Sequence, residues 1–97
     1  MNNAQQIQAR DHVSVVVYSL PGCVQCGAIK RKLKGEGIPF TEILAHEDDA
    51  AAEFIKDLGY TQAPVIYFST INGDDHYSGY RPDKTAELIA AAKPEAA

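Results

Sequence analysis

The feature that most narrows what this chain can fold into is Cys23-Val24-Gln25-Cys26, set between an apolar run and the start of a helix. The run, residues 13–18, reads Val-Ser-Val-Val-Val-Tyr and is followed by Leu20-Pro21-Gly22, a turn; residues 28–33 then read as helical. Two thiols two residues apart at a helix N-terminus can close a disulfide. The first of them also meets unpaired backbone N–H groups and the positive end of the helix dipole. That field favours thiolate over thiol, and the thiolate is the species that attacks disulfides. The unit strand, turn, C-x-x-C, helix therefore points to thiol–disulfide exchange.

Bulk properties remove other classes. At 97 residues the chain suits a single domain spanning 1–97 that buries roughly 60–68% of its unfolded surface, enough to fold without staples. No apolar run approaches the ~20 residues of a membrane span, and the polar first twelve residues lack the cationic start and apolar stretch of a secretory signal. A net charge of −4 gives no electrostatic basis for nucleic-acid binding. Two cysteines alone make no secreted disulfide framework; in a cytosolic α/β chain they read as redox chemistry. A cytoplasmic monomer with no nucleic-acid or membrane partner is expected, with residues 1–11 and 94–97 as frayed tails.

Strands and helices alternate along the chain. Residues 13–19, β-branched and nearly continuous in apolar character, predict a central strand buried on both faces. A first helix runs from about Val24 to Lys34, with Cys26, Ile29 and Leu33 on one face and Lys30, Arg31 and Lys34 on another; Gly35 and Gly37 stop it. The basic run reads as a solvated helix face. Residues 40–44 predict the second strand, joined to the first by a right-handed crossover. Asp48 or Asp49 suits the N-cap of a second helix with Ala51, Phe54, Ile55 and Leu58 inward and Gly59 at its end. Residues 65–68 form a third strand, Asn72-Gly73 signals a two-residue hairpin, and a fourth strand lies near His76-Tyr77. Pro82 fits the first position of a last helix carrying Leu88 and Ile89, closed by Pro94. The order βαβαββα with C-x-x-C after the first strand is that of an α/β thioredoxin/glutaredoxin-like fold, a four-stranded mixed sheet flanked by three helices.

Cys23 is the expected attacker and Cys26 the resolver. The first is less covered and nearer the orphan donors, with a pKa lowered to about 3.5–7.5 against ~8.5 for a free thiol; the second lies one turn in, facing the core. Two other readings compete: a buried, inert pair, and half of a zinc site. Zinc needs four ligands, and His12, His46 and His76 show no paired spacing to complete it, so no metal is expected. Pro64, in Gln62-Ala63-Pro64-Val65, stands before the third strand. Only ~5–6% of X–Pro bonds are cis, so by itself it reads as a trans proline. The fold reading reverses this, because a proline there lies against the C-x-x-C loop, and a cis bond would expose the backbone of Ala63 to an extended substrate strand. The segment Tyr77-Ser78-Gly79-Tyr80-Arg81-Pro82-Asp83 falls at a strand-to-helix junction on the same side, with Gly79 suited to a special backbone angle and Asp83 to the helix dipole. Taken alone, such a segment is more often a turn with packed aromatics than a binding site.

Taken together, Cys23-Val24-Gln25-Cys26, Leu58-Gly59-Tyr60, Gln62-Ala63-Pro64-Val65 and the segment 77–83 resemble the NrdH-redoxins, glutaredoxin-like proteins of the thioredoxin-fold superfamily. The resemblance covers residues 13 to about 88. It implies a small cytosolic electron carrier with no bound cofactor, reduced through Cys23–Cys26 by thioredoxin reductase at the expense of NADPH. The client it implies is the large subunit of class Ib ribonucleotide reductase, whose active-site disulfide must be reduced after each turnover. Cys23 and Cys26 inherit the redox pair, Pro64 the cis-proline, and residues 78–82 the segment beside the active site. The chain departs from the family in having Tyr77 for a usual Trp, Tyr80 for Phe, Leu20 where a lysine is common, and a longer hairpin over 68–75.

Pro21, Val24, Ala63, Tyr77 and Tyr80 are expected to form an exposed, partly apolar rim around the disulfide, with Arg81 at its edge. Gln25, Pro64, Ser78 and Gly79 complete the expected partner-binding surface. A glutathione-dependent glutaredoxin is the nearest alternative, but it needs donors for glutathione carboxylates where this chain has Leu20 and Ser78-Gly79-Tyr80-Arg81. A non-catalytic thioredoxin-like binding module or metal-binding adaptor is a third reading, and it requires an unreactive Cys23 or retained zinc.

Overall fold

The computed structural model describes residues 14–70 and 73–92. Among them the elements are β1 (Ser14–Ser19), α1 (Val24–Gly35), β2 (Thr41–Leu44), a 3-10 turn (Ala45–Glu47), α2 (Asp49–Asp57), β3 (Val65–Thr70), β4 (Gly73–Ser78) and α3 (Pro82–Ala92). The four strands form one mixed sheet in the order β2-β1-β3-β4. β1 pairs in parallel with β2 across the α1 crossover (Val17 opposite Glu42), and antiparallel with β3 (Val17 opposite Ile66). β3 and β4 form the antiparallel hairpin. The expected order βαβαββα is the one observed. The tails at 1–11 and 94–97, and with them Pro94 and His12, lie outside the described residues.

Local chemistry sets the element ends. The Asp48 carboxylate accepts the Ala51 N–H at 3.0 Å, capping α2 as its position predicts. At the end of α1 the Ile38 N–H reaches Leu33 O at 2.9 Å and the Gly37 N–H reaches Lys34 O at 3.0 Å, a two-bond cap that needs the left-handed backbone Gly37 adopts (φ 73°). Lys30 and Lys32 pair with Glu42 and Glu36, and Arg31, Lys32 and Lys34 are exposed, as a solvated face requires.

Three expectations need correction. β1 is not closed on both faces: Val15, Val17 and Ser19 are buried, but Val16 and Tyr18 are only half-buried, because the nine-residue α2 is too short to seal that side. Phe54 does face the sheet, its ring 5.8 and 5.4 Å from those of Tyr18 and Tyr67, but Phe54 and Ile55 of α2 and Leu58 at its end are only half-buried, while Ala51 is buried. The Asn-Gly reading of the hairpin also needs correction at Gly73. Gly73 already belongs to β4, paired with Thr70, while Asn72 lies outside the described residues. The closed core lies between the sheet and α1 and α3, where Val15, Val17, Ile29, Leu33, Ile38, Ile66, Phe68, Tyr77 and Leu88 pack together.

Candidate active site

β1 delivers the chain to the turn before α1, and Cys23 takes an extended backbone (φ −86°, ψ 108°) as the N-cap of that helix. Its carbonyl accepts the Gly27 N–H, and its Sγ accepts the Cys26 N–H at 3.0 Å. A sulfur in an N-cap role faces donors that no carbonyl of the helix satisfies, the setting that stabilises a thiolate once the disulfide opens. Cys23 and Cys26 are joined in a disulfide with Cα atoms 5.2 Å apart. Cys26 is 2% exposed and lies on the buried side of α1 with Ile29 and Leu33, whereas Cys23 is half-buried.

Hydrogen bonds tie two further segments to the start of α1 that carries this pair. Pro21 is exposed and Val24 is 83% exposed, standing free beside the disulfide. The Ala63–Pro64 peptide bond is cis, as expected, with Ala63 half-buried and Pro64 buried. Pro64 O accepts the Gly79 N–H at 2.8 Å, and the Ser78 hydroxyl donates to Gln62 O at 2.9 Å, so the 78–80 segment is fastened to the loop before β3. Gly79 has φ +84°, the unusual backbone angle its position calls for. Gln25 reaches the same segment from α1: its Oε1 accepts the Tyr80 N–H at 2.9 Å. Tyr80 is half-buried, and Arg81 is exposed and paired with Asp83 at 2.9 Å.

Tyr77 departs from the expected rim. It is 2% exposed, packed edge-on against Phe68, with its hydroxyl on buried Thr85 Oγ1 at 2.9 Å. The register of β4 decides this, because Tyr77 faces Ile66 across the strand pair and so turns into the core. Burial pushes its phenol pKa up, partly offset by the Thr85 hydrogen bond.

Two features carried no sequence signal. Ser19, 1% exposed, donates to Glu42 Oε2 at 2.6 Å, and Lys30 Nζ pairs with the same oxygen at 2.7 Å. The Lys30 and Ser19 hydrogen bonds lower the Glu42 pKa. This trio needs the parallel β1–β2 register to exist, and no local pattern encodes that. The second is a groove of about 290 Å³ between the end of β1 and the loop before β3, lined by Leu20, Ala63, Tyr60, Ile55, Gln62 and His46 among others, with no Lys or Arg in its lining. Leu20, one of its lining residues, is 40% exposed. Among the described residues no cluster of His, Cys, Asp or Glu could hold a metal ion, and no helix is long and apolar enough to cross a membrane.

Known proteins share this arrangement. The glutaredoxin family model matches residues 15–75. The glutaredoxin-like protein NrdH of Escherichia coli K12 is 37% identical over 77 residues, which cover 79% of this chain and 90% of that protein. NrdH of Lactococcus lactis subsp. cremoris is 36% identical over 74 residues, 76% of this chain and 97% of its own length. The solved structure of the E. coli NrdH-redoxin superposes with a TM-score of 0.68 at 36% identity, covering 77% of this chain and 93% of that one. Its match extends to the four-stranded mixed sheet and three helices of the thioredoxin/glutaredoxin fold. With its cysteine pair capping α1 and its family matched along most of its length, this chain belongs to the glutaredoxin family, in the NrdH-redoxin branch, and is a thiol–disulfide oxidoreductase whose redox-active pair is Cys23–Cys26.

Proposed function

We propose that this protein is a cytoplasmic electron carrier reduced by thioredoxin reductase, not by glutathione, and that it supplies electrons to class Ib ribonucleotide reductase or other protein disulfides. In the forward half-reaction the Cys23 thiolate attacks a client sulfur, forming a mixed disulfide and releasing the client's other sulfur as thiolate. Cys26, deprotonated, then attacks Cys23 Sγ, closes the Cys23–Cys26 disulfide and expels the second client thiolate. Two electrons have passed to the client, and a reductase restores the dithiol with two electrons from NADPH.

The observation that carries this reading is the groove from Leu20 at the end of β1 to Ala63 before β3, with no Lys or Arg in its lining. Glutathione is small and doubly carboxylated, so its capture depends on a few fixed donors. Exposed Leu20 lines the groove, no Lys or Arg does, and Arg81 in the segment before α3 is engaged by Asp83. An apolar rim of Pro21, Val24, Leu20 and Ala63 suits a protein surface better than a charged tripeptide. The E. coli relative is described as having a thioredoxin-like activity profile, which fits the same reading.

The test follows NADPH consumption in two coupled systems with one disulfide acceptor: thioredoxin reductase, and glutathione with glutathione reductase. Faster turnover through thioredoxin reductase is expected. Faster turnover through the glutathione branch overturns the proposal in favour of a glutathione-dependent glutaredoxin.

A further inference from the structure

Gln25 sits between the two cysteines and is exposed, a position that sequence reading assigns to partner contact. Its side chain is engaged within the molecule. Gln25 Oε1 accepts the Tyr80 N–H at 2.9 Å, bridging 55 residues of sequence from the start of α1 to the segment leading into α3. The neighbouring residue is shaped for this approach. A Cβ on Gly79 would meet Gln25 Oε1 at 3.3 Å, and the φ of +84° at that position disfavours any side chain. The other two bonds of the segment, Gly79 N–H to Pro64 O and Ser78 Oγ to Gln62 O, fasten it to the loop before β3. Gln25 fastens it to the helix that carries the disulfide. Beyond Tyr80, the Arg81 carbonyl accepts the Thr85 N–H at 2.8 Å and starts α3, so the bond also fixes how that helix enters.

We propose that Gln25 is a positioning residue: through the Tyr80 N–H it sets residues 79–81, and the Tyr80 ring with them, at a fixed place relative to the Cys23–Cys26 disulfide. The inference rests on the reading that a protein docks over that disulfide. A preset rim spares the partner the cost of ordering the segment on binding, so the bond acts on docking and leaves the sulfur chemistry to the cysteines. Without it the segment keeps its two anchors to the 62–64 loop and the packing of Tyr80 against the core, but loses its hydrogen bond to the start of α1.

The experiment compares wild type, Gln25→Ala and Gln25→Glu. Gln25→Glu keeps an acceptor oxygen at the same reach and adds a charge. Three readouts are taken: hydrogen exchange of the Tyr80 amide, kcat and KM of the reductase for the oxidised protein, and the rate of disulfide reduction by dithiothreitol, which needs no docking surface. In Gln25→Ala the Tyr80 amide should exchange at least about threefold faster, as expected for loss of one exposed hydrogen bond. Its KM should rise by more than kcat falls, and reduction by dithiothreitol should change less than reduction by the reductase. Gln25→Glu should restore the slow exchange whatever its charge does to kcat. Unchanged Tyr80 exchange in Gln25→Ala overturns the tether. Faster exchange with KM unmoved, or a loss confined to kcat, overturns its positioning role. If thioredoxin reductase fails to turn over wild type, the proposed function has failed. The exchange arm still decides the tether, and KM for glutathione then decides positioning.

Discussion

The face of the sheet covered by α1 and α3 is closed and largely aliphatic, whereas the face under α2 is half-open and aromatic. On the first, Val15, Val17, Ile29, Leu33, Ile66 and Leu88 meet with almost no exposure, and the hydroxyl of Tyr77 is paired inside. On the second, Tyr18, Phe54, Tyr67 and His76 form a chain of ring contacts 5.4–5.8 Å apart, all half-buried. Its polar tips face outward, Tyr67 donating to Asp74 and Tyr60 meeting His76 Nδ1 at 2.8 Å. Two helices of 12 and 11 residues seal one side, and a single nine-residue helix shades the other. The two cysteines differ in the same way. Cys26 belongs to the closed face, while Cys23 stands at its edge, so the fold gives one sulfur access and shelters the other.

The largest effect should fall on that division. Cys23→Ser should abolish disulfide exchange, and Cys26→Ser should retain the attack but accumulate mixed disulfides. Alkylation of the reduced protein at about pH 6.5 should modify Cys23 first, since ionisation and exposure both favour it. Mass spectrometry reads both results, and Cys26 alkylating first would reverse the assigned roles.

Core truncations probe the closure itself. Ile29→Ala should cost about 2–5 kcal/mol, because a fully enclosed site cannot collapse around the lost atoms. Phe54→Ala, although it removes a larger group, should cost less, roughly 1–2 kcal/mol, since its site is partly open to water. Urea midpoints with unchanged m-values give the comparison, and equal losses would mean that the α2 side is as closed as the other.

One chemical change can be made on both faces. Tyr77→Phe leaves the Thr85 hydroxyl buried without its partner and should cost about 1 kcal/mol. Tyr67→Phe frees an exposed carboxylate to water and should leave the urea midpoint nearly unmoved. A larger loss from Tyr67→Phe would overturn the ranking of the two faces.

The smallest effect concerns pH. Hydrogen bonds from Lys30 and Ser19 hold the Glu42 carboxyl below its ordinary pKa. The unfolded chain therefore takes up the proton first. The stabilisation is fully present above the ordinary Glu value of about 4.3, and is lost as pH falls through the lower folded value. With both partners of the ion pair partly exposed, its worth should stay below about 1 kcal/mol. Glu42→Gln should thus be slightly less stable than wild type at neutral pH, and the two should converge under acid. A difference that persists below the folded pKa would assign the effect to packing around Ser19 instead of charge.

The amino-acid sequence by itself determined what depends on neighbours along the chain. The C-x-x-C at a helix start, the Asp48 cap, the Gly37 stop and the inward spacing of Cys26, Ile29 and Leu33 are local, set by backbone sterics and helical period, and all were legible. Tertiary structure decided what depends on register and coverage. Alternation along a strand separates two sets of side chains without saying which helix covers either, so Tyr77 read as rim and proved core, and Val16 and Tyr18 read as enclosed and proved half-open. The Gln25–Tyr80 bond and the Ser19–Glu42–Lys30 trio join residues 55, 23 and 12 positions apart. Such contacts exist only once strand pairing and helix packing bring distant segments within 3 Å, and no spacing rule along one segment can encode them.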